Sequence, residues 1–121
     1  MAHVYDAPIH YIVLIQDDNT VTIPWMEEYM ALLDKIEATT GPGILVTIGV
    51  GKKHFSTGFD LPTWIGEPET YYPSMELLRV LMDRLIRLSM PSLCVFNGNA
   101  MAGGYFMGLC HDFRLMNSQQ G

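Results

Sequence analysis

Basic residues are scarce in this chain: seven Lys and Arg stand against 13 Asp and Glu, for a formal net charge of -6. A surface that binds nucleic-acid phosphates needs clustered Lys and Arg, and Lys52-Lys53 is the only local basic pair, so the composition argues against a nucleic-acid partner. Cysteine is also sparse. Cys94 and Cys110 both fall inside apolar runs, where a small buried thiol is the ordinary reading and a disulfide framework is not; a reducing, intracellular compartment fits. No apolar stretch approaches the roughly 20 residues of a membrane-spanning helix. The opening Met1-Ala-His-Val-Tyr-Asp6 has neither a basic n-region nor an apolar h-region, so no secretory signal is expected. The ending Gln119-Gln120-Gly121 is not a peroxisomal address of the Ser-Lys-Leu type. The four histidines, His3, His10, His54 and His111, have no ligand spacing among them, and no metal is expected.

What is present belongs to a packed globular protein. Hydrophobic residues make up 49% of the chain and charged ones 17%, and 121 residues suffice for one domain, or part of one, with a core of its own. His10 to Gln16 reads as a first strand that ends at Asp17-Asp18-Asn19. Pro24 stands near a helix start, and from Trp25 to Ala38 the apolar Met26, Met30, Leu33 and Ile36 recur at three- and four-residue steps. Thr39-Thr40-Gly41-Pro42 ends that helix. Ile44 to Ile48 is a strand apolar on both faces, as a covered parallel strand would be. Glu67 to Pro73 reads as loop, with Ser74 as the cap of a helix from Met75 to Leu88 whose stripe is Leu77, Leu78, Leu81, Leu85 and Leu88. A strand from Ser92 to Phe96, a helix opening near Gly103 and a last apolar piece, Phe113 to Met116, complete an alternating α/β order.

Two stretches carry chemistry. In Pro91 to Asp112 a buried strand runs through Asn97-Gly98 into the helix that Gly103-Gly104 opens. The first N-H groups of a helix lack internal partners and carry the positive end of its dipole, so an anionic oxygen is stabilised there. Gly43 to Leu61 repeats the plan of strand, turn and helix, and ends in Phe55-Ser56-Thr57-Gly58-Phe59-Asp60-Leu61. Asp60, ahead of Leu61-Pro62, reads as a helix cap. Lys52-Lys53 could meet a phosphate, and a solvated surface pair is an equal reading. Gly49-x-Gly51-Lys52-Lys53 is no phosphate loop, because the earlier glycine and the Ser or Thr after Lys are missing. Met101, Tyr105, Phe106 and Met107 could line an apolar pocket, against the commoner reading of plain core. Asp112 is expected to close a helix or pair with Arg114.

Phe-Ser-x-Gly-x-Asp-Leu at Phe55 to Leu61, then Pro91-x-x-x-x-x-Asn-Gly-x-Ala-x-x-Gly-Gly to Gly104, then Cys-His-Asp-x-Arg-Leu from Cys110, resembles the crotonase family of enoyl-CoA hydratases and isomerases. The resemblance implies a ββα spiral, with residues 1–121 as the N-terminal part of the domain, cut before its C-terminal helices. It implies an acyl-CoA substrate, coenzyme A being part of the substrate rather than a cofactor, and an oxyanion hole of two backbone N-H groups, here those of Phe59 and Gly103. Ser56, Gly58, Asp60, Leu61, Gly104 and Phe106 would then lie beside the substrate. In the family's hydratases a glutamate stands three residues beyond the second donor; here that position is Phe106, which cannot take a proton. The pattern therefore looks closer to the Δ3,Δ2-enoyl-CoA isomerases of fatty acid β-oxidation. Their base is a glutamate on the segment after the Phe113 to Met116 strand, and no residue of this chain is assigned that role. By the same resemblance, the full domain would be a trimer in a peroxisome or mitochondrion. An acyl-CoA-binding module without turnover, or a fragment without activity of its own, is the rival reading; a hydratase ranks below both.

Overall fold

In a computed structural model, residues 1–116 are described, and the Gln119-Gln120-Gly121 ending lies outside them. Five strands form the main sheet, in the order β1-β2-β3-β5-β7: β1 (Ala2–Asp6), β2 (Ile9–Leu14), β3 (Ile44–Gly49), β5 (Ser92–Phe96) and β7 (Phe113–Met116). β1 runs antiparallel to β2, and every later neighbour is parallel. Parallel neighbours need crossovers, and helices supply them: α1 (Ile23–Glu37) between β2 and β3, α3 (Tyr71–Ile86) between β3 and β5, and α4 (Ala102–Leu109) between β5 and β7. A short helix α2 (Leu61–Gly66) precedes α3. No helix among the described residues is long and apolar enough to cross a membrane.

The core lies between the sheet and one layer of helices. Ile12 and Leu14 of β2, Leu45 of β3 and Cys94 of β5 are buried against Met26, Tyr29, Leu33 and Ile36 of α1 and Leu78, Leu81 and Leu85 of α3. These helical positions repeat at three and four residues, so each helix turns one stripe inward. Thr22 caps α1 by accepting from Trp25 N at 3.1 Å, and Pro24 sits in the first turn, where a missing N-H costs nothing.

Three expectations change. β1 was not visible in the sequence: Ala2 to Asp6 carries no periodic signal and exists as a strand through its pairing with β2. Ser74 is not a cap. α3 starts at Tyr71, Pro73 occupies its first turn, and the Ser74 hydroxyl donates back to Thr70 O at 2.7 Å, as a serine inside a helix can. Asp112 neither closes a helix nor pairs with Arg114. Its carboxylate accepts from Ser92 N at 2.9 Å while its own N-H donates to Ser92 Oγ at 3.0 Å, which ties the turn after α4 to the start of β5; Arg114 donates instead to the Leu109 and His111 carbonyls.

Candidate active site

A second, two-stranded sheet builds the site. β4 (His54–Ser56) pairs in parallel with β6 (Asn99–Ala100), so the loops that leave them, Thr57 to Asp60 and Met101 to Gly104, emerge side by side. Asn99 N donates to Lys53 O at 2.9 Å and Met101 N to Ser56 O at 3.0 Å. Asn97, which the sequence marks only as a strand breaker, fastens the base of this pair by donating Nδ2 to Gly51 O at 2.6 Å.

Glycine is what lets the two loops touch. Gly58 has φ +85, the left-handed region that favours glycine, and a Cβ there would lie 2.8 Å from Met101 O. A Cβ on Gly104 would lie 2.3 Å from Ser56 Cβ, and one on Gly103 would lie 2.8 Å from Cζ of the Phe59 ring. Ala102, between the loops' closest points, is itself held at φ 41, a strained conformation for a residue with a side chain and one found most often where a site requires it.

Accounting for the N-H groups identifies the free donors. In the first loop Thr57 N donates to Asp18 O at 2.8 Å, Gly58 N to Ser56 Oγ at 3.2 Å and Leu61 N to Phe59 O at 3.1 Å. In the second, Gly104 N and Tyr105 N both turn onto Met101 O, at 2.9 and 3.5 Å. Among the described residues Asp60 N and Ala102 N lack a partner, and so do Phe59 N and Gly103 N, the two at the matched motif positions. One leaves a loop and the other opens α4, where the helix dipole adds positive potential. Two such groups, in loops that pack on each other, can hold an oxygen that gains negative charge.

The side chains sort themselves around that pair. Ser56 is fully buried and its hydroxyl donates to Asn19 O at 2.8 Å, so it shapes the loop from within. Asp60 is the α2 cap the sequence predicts: its carboxylate accepts from Thr63 N at 3.3 Å and from the Thr63 hydroxyl. Gly104 is buried beneath the loops, and Leu61 is exposed. The Phe59 ring lies tilted by 32° against Trp64 at a 4.7 Å centroid distance, and Trp64 meets Tyr71 edge-on at 4.8 Å, so an aromatic row pins α2 to the start of α3. On α4 the plain-core reading holds for Met107 alone. Met101, Tyr105 and Phe106 are exposed, Phe106 at 44%, and with Leu61 and Ile65 they give the site's surroundings an apolar character.

At the other end of β4 an open cleft of about 560 Å³ is lined by Asp17, Val50, Lys52, Lys53 and His54. Here the Nδ1 of His54 is buried without a hydrogen-bond partner. The remaining histidines are structural: His3 Nε2 lies 3.2 Å from His10 Nδ1, and His111 is buried beneath α4.

The sequence profile described as enoyl-CoA hydratase/isomerase matches residues 7–120. The chain is similar to enoyl-CoA delta isomerase 3 of Arabidopsis thaliana, with 31% identity over 112 residues, covering 88% of this chain and 46% of the relative. It is 27% identical over 99 residues to the peroxisomal enoyl-CoA delta isomerase 2 of the same plant, covering 76% of this chain and 41% of the relative. The chain thus spans somewhat under half the length of these curated relatives. Among solved structures, an enoyl-CoA hydratase from Bacillus anthracis superposes with a TM-score of 0.87 at 25% identity, over 95% of this chain and 46% of that one. The arrangement of strands and helices described above is that of the crotonase fold.

Proposed function

The chain belongs to the enoyl-CoA hydratase/isomerase family, and from that premise we propose that it acts as a Δ3,Δ2-enoyl-CoA isomerase-like protein of fatty acid β-oxidation. The observation that carries the reading is the pair of unpartnered N-H groups at Phe59 and Gly103. Removing a proton from C2 of a 3-enoyl-CoA moves negative charge onto the thioester oxygen. Preorganised donors stabilise that charge without having to reorient, and each contributes on the order of 10²- to 10³-fold in rate at comparable sites. Returning the proton at C4 collapses the dienolate to the 2-enoyl product. One base suffices for both transfers, whereas adding water needs groups to activate it. Phe106, apolar and three residues beyond Gly103, favours isomerisation over hydration. The acyl chain would run over the exposed Met101, Tyr105 and Phe106, and the phosphates of coenzyme A toward Lys52 and Lys53. The peroxisomal relative supports a peroxisomal setting for the same chemistry.

The base is not assigned. Asp60 and Asp112 spend their carboxylates on Thr63 and Ser92, and that favours a second reading, an acyl-CoA-binding module without turnover. An assay of the purified chain with trans-3-hexenoyl-CoA, joined to calorimetric titration with a saturated acyl-CoA, separates the two. Formation of the 2-enoyl product supports the isomerase; binding without product supports the module; absence of both overturns the acyl-CoA reading.

A further inference from the structure

Phe59 N-H is aimed by a turn that belongs to another part of the chain. Residues 16–21, between β2 and α1, fold back along residues 55–59. Val21 N donates to Gly58 O at 2.7 Å. The Gly58 carbonyl and the Phe59 N-H share one planar trans peptide and point in opposite directions, so anchoring that oxygen to Val21 sends the N-H away from the turn. Rotation of this peptide would turn the donor inward and leave its oxygen facing the site.

What holds the turn in place is a set of bonds through two buried side chains. Asn19, 1% exposed and held at φ 45, donates Nδ2 to Gln16 O at 2.9 Å and to Phe55 O at 3.0 Å. Its own carbonyl accepts from Ser56 Oγ at 2.8 Å, and that hydroxyl accepts from Gly58 N at 3.2 Å. Thr57 N to Asp18 O, at 2.8 Å, completes the seam. Val21 thus holds the Gly58-Phe59 peptide directly, through Gly58 O, and Ser56 holds the peptide before it, through Gly58 N. We propose that Asn19 and Ser56 are positioning residues for the Phe59 donor, keeping the oxyanion hole formed before any ligand arrives. The inference rests on the acyl-CoA reading above.

Acetoacetyl-CoA tests it without requiring a catalytic base, since the ligand's C2 proton is acidic enough to ionise unaided and the enolate is followed by its near-ultraviolet absorption. Bound to the unsubstituted protein, the ligand should show an apparent pKa below its value in solution. Asn19→Gly keeps the left-handed backbone accessible and removes the carboxamide; Ser56→Ala removes the hydroxyl. Each should raise the bound ligand's pKa by about one unit, a roughly tenfold loss of enolate stabilisation, with circular dichroism unchanged and the Kd for butyryl-CoA within about threefold. A merely structural role would alter folding or both affinities and leave the pKa of bound ligand alone. An unchanged pKa in a folded variant overturns the proposal. Should neither variant fold, the amide resonances of the unsubstituted protein decide: Phe59 N-H should move on adding acetoacetyl-CoA while Gly58 N-H stays, and a still Phe59 resonance overturns it. If the unsubstituted protein neither binds acetoacetyl-CoA nor lowers its pKa, the acyl-CoA reading fails, and this inference with it.

Discussion

His111 has a proton budget that the fold fixes. Its Nδ1 lies 3.1 Å from Met107 O, a group that can only accept, so Nδ1 carries the hydrogen and Nε2 is left to accept from the Thr47 hydroxyl at 2.8 Å; that hydroxyl in turn accepts from Tyr29 OH at 2.6 Å. Every member has its partner, which is the condition for a polar chain inside a core. Charging the imidazole would break it, and burial pushes the His111 pKa down to about 4. In the unfolded chain the ordinary value is about 6.5. The unfolded state therefore binds the proton first as pH falls, and stability is fully present above pH 6.5 and is lost between there and about 4. Between pH 7 and pH 5 the loss should be roughly 2 kcal/mol, read as a lower midpoint in urea titrations. His3, lowered by its own burial and then by His10 and Lys35, adds to the same trend. His111→Gln should be less stable at pH 7 and lose most of the pH dependence; a dependence as steep as that of the unsubstituted protein would refute the assignment.

At the scale of elements, α1 and α3 are joined by more than their apolar stripes. Arg84 of α3 donates Nη1 to Met30 O at 3.2 Å and sets Nη2 2.9 Å from Asp34 and 3.4 Å from Glu37 of α1. The guanidinium is largely covered while both carboxylates remain wet, so each ion pair contributes little and the backbone hydrogen bond adds to them. Arg84→Met, which keeps the apolar stem, should cost about 1 kcal/mol in low salt and less in 1 M salt, as thermal denaturation would report. These helices were legible in the sequence because their stripes repeat locally. β2, β3 and β5 were legible from apolar runs bounded by turn residues. β1 was not, since pairing alone makes it a strand. The start of α3 was misread because Ser74 resembles a cap, when Pro73 before it is tolerated in a first turn. The same division runs through the site. Gly58, Gly103 and Gly104 stand in contiguous motifs, and a sequence shows them. Asn19 acts through a backbone oxygen 36 residues away, and only the folded chain brings it to Phe55.

At the scale of the whole molecule, register decides what is covered. In a parallel pair, partnered residues share a face, so Ile12, Thr47 and Cys94 form one row beneath the helices. The neighbouring rows, Tyr11-Val46-Leu93-Phe113 and Val13-Ile48-Val95-Leu115, point to the opposite side. Apolar residues fill both rows, as the doubly apolar β3 sequence anticipated, but no helix of the described residues lies over them. Exposure grows toward the edge strand β7, where Phe113 is 66% and Leu115 57% exposed. Among the described residues β7 also offers one unpaired row of backbone groups, and an apolar edge strand of that kind is a template for another chain. The purified 121-residue chain should therefore associate with rising concentration in sedimentation velocity. Phe113→Lys with Leu115→Lys should suppress this while leaving circular dichroism intact, because neither side chain belongs to the core on the helical side. A chain that stays monomeric at high micromolar concentration, or a double variant that associates as before, would show that this face does not drive assembly.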